Sequence, residues 1–237
     1  TQMAHQAKAH DAEATDPGLL SNHSVLKTYS TSRFTYPELR VFYRQHPKAR
    51  ELPSDPAPLP LLVFIHGLGG SVAQFHPLLT SLTNNASCLA LDFPGCGRSA
   101  FAPADWDAYG TDALLELLEL VIDDYRDKEN GQGVVLIAHS MGTAMAARLA
   151  NRKASHMTAI ADYVLGICAI CPVAGPPSEE KVVWFRRALW IPTFLFDLLR
   201  WWDQWGGPDS ASVNRFLGPE ADRPSRLLQY RFNRQSR

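Results

Sequence analysis

The stretch from Val134 to Ala150 constrains this chain more than any other. Its first five residues, Val134, Val135, Leu136, Ile137 and Ala138, form a short apolar run of the kind that makes a buried strand. An Ala-rich helical segment follows from Met141 with no turn residues between. The junction Ala138-His139-Ser140-Met141-Gly142 is a small-x-Ser-x-small pentapeptide, which is the pattern of a nucleophile elbow. In that turn the central residue is held in a strained conformation and projects above the sheet. Small residues stand two before and two after it because strand and helix nearly touch. Ala138 carries one methyl more than the commoner glycine. An ordinary strand followed by a helix with Ser140 as its N-cap is the simpler alternative.

The surrounding segments favour the elbow. Leu61 to Ile65 is a fully apolar five-residue strand running into His66-Gly67-Leu68-Gly69-Gly70. A helical segment with Phe75, Leu78, Leu79 and Leu82 on one face comes next. Cys88 to Leu91 is another apolar strand, ending in Asp92-Phe93-Pro94-Gly95-Cys96-Gly97-Arg98-Ser99. Over 112–125, Leu114, Leu117, Leu118, Val121 and Ile122 share one helical face. Tyr163 to Ala169 forms a further apolar strand closing at Cys171-Pro172. Apolar strands alternating with helices predict an α/β fold whose mostly parallel sheet is covered on both faces. In such sheets function gathers at the C-terminal strand ends, where the Gly67 turn, the loop after Asp92 and Ser140 all fall.

The flanks read differently. Residues 1–24 have few apolar anchors and predict a flexible tail or cleaved leader. Residues 31–44 mix aromatic, β-branched and polar residues and predict two edge strands joined around Pro37-Glu38. Five prolines in 47–60 predict an exposed loop. The 237 residues suit one domain with an appendage, divided as tail 1–24, core 25–172 and helical cap 173–237. A net charge of −1 gives no footprint for nucleic acid. Four cysteines are too few for a disulfide scaffold. Three of them lie in or beside apolar runs, which suits packed, reduced thiols in an intracellular, cytoplasmic protein. Cys168 and Cys171 have a redox spacing but fall within a strand-like run rather than at a helix start.

With these motifs in order, the chain resembles the α/β-hydrolase superfamily from about residue 31 to 237, and within it the capped serine esterases and lipases. Serine at the elbow sets it apart from the haloalkane dehalogenases and epoxide hydrolases, which place Asp there. The resemblance implies that Ser140 is the nucleophile of an acyl-enzyme mechanism. It further implies that the N–H groups of Leu68 and Met141 form the oxyanion hole. Glycines at 67, 69 and 70 let the backbone approach a tetrahedral intermediate. His66 and His139 are expected to pack beside the elbow, and Asp92 to be a structural hydrogen-bonding group. No cofactor or metal is implied.

The family's order places an acid and then a histidine after the serine. After Ser140 the sequence offers only His156, too early for that role, while Glu179 or Glu180 would serve as acid only in a variant of the fold. The last two strands of the fold, with the acid and the histidine, are therefore expected to be absent. That makes the chain a fragment with an incomplete triad, inactive alone, or else a complete but non-catalytic relative.

Between Val182 and Trp202 fifteen of 21 residues are apolar, and five of the six tryptophans fall in 184–205. Charges and Pro192 interrupt the run, so two short helices meeting at Pro192 fit better than a membrane span. This is where the family inserts its cap. Aromatics there suit a small hydrophobic ester substrate bound by Trp184, Trp190 and Trp201, or a peripheral contact with a membrane. Packing of the cap on the core accounts for them equally well. Phe216, Leu217, Leu227, Leu228 and Phe232 continue the cap. Two functions stay open: a serine hydrolase of carboxylic esters, lipid esters included, and a non-catalytic hydrolase-fold protein that binds lipid or a protein partner.

Overall fold

The computed structural model describes residues 17–46, 59–152, 159–172, 175, 178–188 and 190–235. They belong to two compact units, one within 16–173 and one within 174–236. The proline-rich segment, as far as residue 58, lies outside the described residues, and so does His156.

The first unit is built on a single sheet. Its strands are β1 (Ser24–Ser30), β2 (Thr35–Arg44), β3 (Leu61–Ile65), β4 (Cys88–Leu91), β5 (Val134–His139) and β6 (Val164–Ile170), in the order β1-β2-β4-β3-β5-β6. β1 and β2 pair antiparallel, and β2 runs antiparallel to β4. β4, β3, β5 and β6 are parallel to one another. Parallel neighbours need crossovers, supplied by α2 (His76–Leu82), α3 (Thr111–Tyr125) and α4 (Met141–Leu149). Successive residues of a strand point to opposite faces, and all four of β4 are buried, so both faces of the sheet are covered here. The expected face of α3 is buried as a block: Leu114, Leu117, Leu118, Val121 and Ile122 join Val63, Ile65, Leu89 and Leu136 in one core. This is the mostly parallel α/β sheet that the alternating pattern predicted.

Several boundaries differ from expectation, each for a physical reason. The expected tail runs too far, because α1 (Gly18–Asn22) is helical and Leu20 is fully buried. Pro37-Glu38 is not the turn between the first two strands; it lies inside β2, and the turn comes at 31–34. The register explains this. Lys27 pairs with Leu39 and Tyr29 with Tyr36, so two steps along β1 match three along β2. Pro37 and Glu38, the latter at φ 46°, therefore form a β-bulge, one of the few places a sheet accepts proline. α2 starts only at His76, after a 3₁₀ turn over Val72–Phe75, and Leu78 faces solvent rather than the core. β6 does not share the burial of the inner strands: among the described residues it is the last strand of the sheet, with Leu165 and Ile167 exposed. The packed-thiol expectation holds for Cys88 but not for Cys168 and Cys171, which are free and exposed on and just after that edge strand.

The second unit is helical, with α5 (Glu179–Ala188), α6 (Thr193–Trp205), α7 (Ala211–Phe216) and α8 (Arg223–Gln235). Pro192 is the N-cap residue of α6, so the chain breaks where proline cannot continue a helix. Ser210 caps α7 by accepting the Val213 N–H, and Val213 is buried. Arg226 ties α8 to α7 through Asn214 and to the preceding loop through the carbonyls of Gly218 and Ala221. No helix among the described residues is long and apolar enough to cross a membrane.

Burial of Leu20 makes a direct prediction. Leu20→Ala should lower stability by about 2–5 kcal/mol in urea unfolding, as truncations at fully buried leucines do. A change within about 0.5 kcal/mol would show that Leu20 is not packed in the first unit.

Candidate active site

At the C-terminal end of β5 the chain passes into α4 through a single residue, Ser140, at φ 51° and ψ −120°. For a residue with a side chain this conformation costs about 1–3 kcal/mol and persists only where its surroundings over-determine it. Those surroundings are specific. The Ser140 N–H donates to the Ile170 carbonyl at the end of β6, 3.0 Å away. The Ser140 carbonyl accepts both the N–H of Thr143 at 3.0 Å and its hydroxyl at 2.6 Å. Gly142 makes the junction sterically feasible, since a Cβ there would lie 2.5 Å from the Ile65 carbonyl oxygen. Thr143 and Ile170 were not singled out from the sequence. A threonine three residues after the serine, placed to bond back to it, was the available signal.

The turn after β3 lies against Ser140. A Cβ on Gly67 would stand 3.0 Å from the Ser140 Cβ and 3.1 Å from the His139 carbonyl oxygen. The turn closes with the Gly70 N–H donating to the Gly67 carbonyl at 3.1 Å, which puts Leu68 at its exposed corner. Met141 is the first residue of α4, so its N–H has no carbonyl partner within the helix. The elements bearing Leu68, Ser140 and Met141 thus meet in one place. Trp184, Trp190 and Trp201 belong to the second unit, where all three are exposed.

The buried polar residues around this place hold the loops. Asp92 is fully buried at the end of β4; its carboxylate accepts the N–H of Val72 at 2.6 Å and of Arg98 at 2.9 Å. Its carbonyl accepts the Ser99 hydroxyl, which in turn accepts the Arg40 N–H. One carboxylate therefore fixes the start of the 3₁₀ turn at Val72 and the loop after β4. His66 is also buried. Its Nε2 accepts the Phe93 N–H at 3.0 Å, so its Nδ1 carries the proton and donates to the Gly67 carbonyl at 2.7 Å. Both ring nitrogens are thus occupied within the protein, and burial holds the imidazole pKa below its ordinary value. His139 packs against Gly67, and its Nδ1 has no hydrogen-bond partner among the described residues. Cys96, in the loop after β4, is pushed up to about 11 by burial and nearby Asp92 and stays a thiol. Glu179 and Glu180 are exposed in the first turn of α5.

A mostly parallel sheet with a strained serine between strand and helix, under a glycine turn from the neighbouring strand, is the architecture of an α/β hydrolase. The chain belongs to the alpha/beta hydrolase family, whose model matches residues 62–236. It is 26% identical over 178 residues to Lipid droplet hydrolase 1 of Saccharomyces cerevisiae, covering 68% of this chain and 46% of that protein. It is 30% identical over 187 residues to an abhydrolase domain-containing protein of Schizosaccharomyces pombe, covering 76% of this chain and 48% of that one. The chain thus spans about half the length of the curated relatives it matches. Among solved structures it is similar in fold to a membrane phospholipase A described as a bacterial virulence factor. That match has a TM-score of 0.50 and 16% identity, over 99% of this chain and 63% of the other.

The bonding of His66 predicts its titration. A histidine whose folded pKa is depressed stabilises the fold fully above its unfolded value near 6.5, and this contribution is lost as pH falls below that value. One proton limits the loss from His66 to at most about 1.4 kcal/mol per pH unit. Nitrogen-15 NMR at neutral pH should show the His66 ring protonated on Nδ1, with a titration midpoint below that of a free histidine. A midpoint at or above the free value, or the Nε2–H tautomer, would contradict the assignment.

Proposed function

We propose that this chain is the nucleophile-bearing part of a serine hydrolase that cleaves carboxylic esters with hydrophobic, lipid-like acyl groups. The observation that carries the reading is Ser140 at φ 51°, held between β5 and α4 under the Gly67 turn. A strained serine at this junction is the nucleophile elbow of the family. The preference for a lipid ester is supported by the relative named Lipid droplet hydrolase 1.

In this reading the Ser140 hydroxyl oxygen attacks the ester carbonyl carbon while its proton passes to a general base. The carbonyl oxygen becomes an oxyanion that accepts the N–H groups of Leu68 and Met141. Loss of one such donor in a comparable enzyme costs roughly 10²–10³ in turnover. Collapse breaks the ester C–O bond, and the leaving alcohol takes the proton back from the base. Water then attacks the acyl-enzyme by the same path and releases the acid. His66 cannot supply the base, because both of its nitrogens are engaged. Among the described residues none after His139 is a histidine. The base and its acid partner are therefore assigned to chain outside these residues, in keeping with relatives about twice as long. Trp184, Trp190 and Trp201 are proposed to contact the acyl group on the chemistry of their rings.

The lack of a histidine after His139 among the described residues favours one second reading, a hydrolase-fold protein that binds a lipid or a protein without turning it over. Labelling with a fluorophosphonate separates the two. The full-length protein should be labelled, and Ser140→Ala should abolish the labelling. Absence of Ser140-dependent labelling there would leave the binding reading in possession. For residues 1–237 alone little or no ester turnover is expected, and brisk hydrolysis by them would overturn the assignment of the base to other chain.

A further inference from the structure

α6 is built inside out. Its least exposed described residues are Arg200, Asp203 and Gln204. Asp203 accepts the Ser212 N–H in the first turn of α7 at 3.1 Å, and the Tyr230 hydroxyl of α8 donates to the Gln204 carbonyl at 3.2 Å. At 3.6 residues per turn these three share one face of the helix. The row Phe194, Leu198, Trp202 and Trp205 falls on the opposite face, with exposures of 73%, 55%, 68% and 71%. Leu195 and Trp201 flank the row, and the Trp201 ring lies 4.4 Å from that of Trp205. Arg200, Asp203 and Gln204 are thus turned to the helix's own unit, and the row Phe194, Leu198, Trp202 and Trp205 away from it. Such a contiguous apolar surface marks an interaction site rather than scattered exposure.

Three properties of the surface choose its occupant. Tryptophan, with an apolar body and one N–H, suits the boundary between hydrocarbon and water better than a dry protein core. Cations stand nearby in sequence: Lys181, Arg186 and Arg187 are exposed on α5, the two arginines in its last turn, and Trp190 beyond them is 88% exposed. Residues 174–237 hold ten Lys and Arg against seven Asp and Glu, a net +3, whereas the rest of the chain is −4. Finally, at 13 residues α6 is about 20 Å long, too short to cross a bilayer but of a length to lie along one.

We propose that α6 docks in the headgroup plane of an anionic phospholipid surface, with Phe194, Leu198, Trp202 and Trp205 inserted and the α5 cations at the headgroups. Docking of this kind does not depend on the chemistry assigned to Ser140.

Vesicle flotation of the full chain tests the proposal, with phosphatidylcholine vesicles and with vesicles that also contain phosphatidylserine. The wild type should float with both, more strongly with the anionic vesicles, and its tryptophan emission should shift to the blue on binding. Trp202→Ala/Trp205→Ala should reduce the bound fraction roughly tenfold or more. Arg186→Gln/Arg187→Gln should remove the preference for phosphatidylserine and leave binding to phosphatidylcholine. Ser140→Ala should float like the wild type, so that failure of docking and failure of the hydrolase reading are told apart. Because the substituted tryptophans are exposed, the double variant should keep the wild-type Tm. Equal flotation of wild type and double tryptophan variant overturns the proposal. So does a lowered Tm with undiminished flotation, which would mean that the face packs on protein. A lipid-free dimer that the tryptophan substitutions dissolve, with no vesicle binding by the wild type, would make the occupant a second copy and overturn it as well.

Discussion

The approach of α4 to β3 at Gly142 is the contact on which the candidate site depends. A single added carbon there would meet the Ile65 carbonyl oxygen at 2.5 Å, so the helix can start where it does only with no side chain at that position. Starting there leaves one residue to turn the chain from strand to helix, and that residue takes a conformation side chains normally avoid. The strain is local, and its compensation is equally local. Ile170 binds the Ser140 N–H, and Thr143 binds its carbonyl twice. Such bonds hold the serine in one place, and in the proposed reaction that would spare the site reorganisation.

Around this contact the buried polar groups serve as framework. Asp92 and His66 invite a catalytic reading from their types and their positions at strand ends. Their bonds assign them otherwise. Asp92 collects N–H groups from two loops, and His66 joins the carbonyl of Gly67 to the N–H of Phe93. A buried carboxylate without partners would be strongly unfavourable, and these bonds together with the buried Arg40 guanidinium 3.8 Å away account for the tolerance of full burial. The consequence for function is that the turn bearing Leu68 and the loop after β4 are positioned by one connected set of bonds. In the proposed mechanism, the base for Ser140 is not among these groups.

Much of the fold was legible because burial on both faces leaves an unambiguous trace. The runs at 61–65, 88–91 and 134–138 could be little else than inner strands, and the leucine face of α3 follows directly from its spacing. The pentapeptide around Ser140 was legible because its sterics require small residues at fixed offsets. Other features were hidden for physical reasons. Pro37-Glu38 carries the chemistry of a turn, and only the pairing register shows that β2 absorbs it as a bulge. Leu19 and Leu20 are an isolated apolar pair in a polar stretch, too little periodicity to announce a helix. The run at 164–170 is as apolar as an inner strand, yet its position at the edge of the described sheet leaves Cys168 and Leu165 exposed. In α6 composition announced an amphipathic helix, but not that its apolar face would turn away from its own unit.

The central claim is that the Gly67 turn and the start of α4 form one preorganised site around Ser140, and the most direct test is a crystal structure of the full-length protein after reaction with a phosphonate ester. The account predicts phosphorus bonded to the Ser140 hydroxyl oxygen and a phosphoryl oxygen about 2.7–3.1 Å from the N–H groups of both Leu68 and Met141. A phosphonate attached to Ser140 with that oxygen turned to solvent, or one attached to another residue, would contradict it.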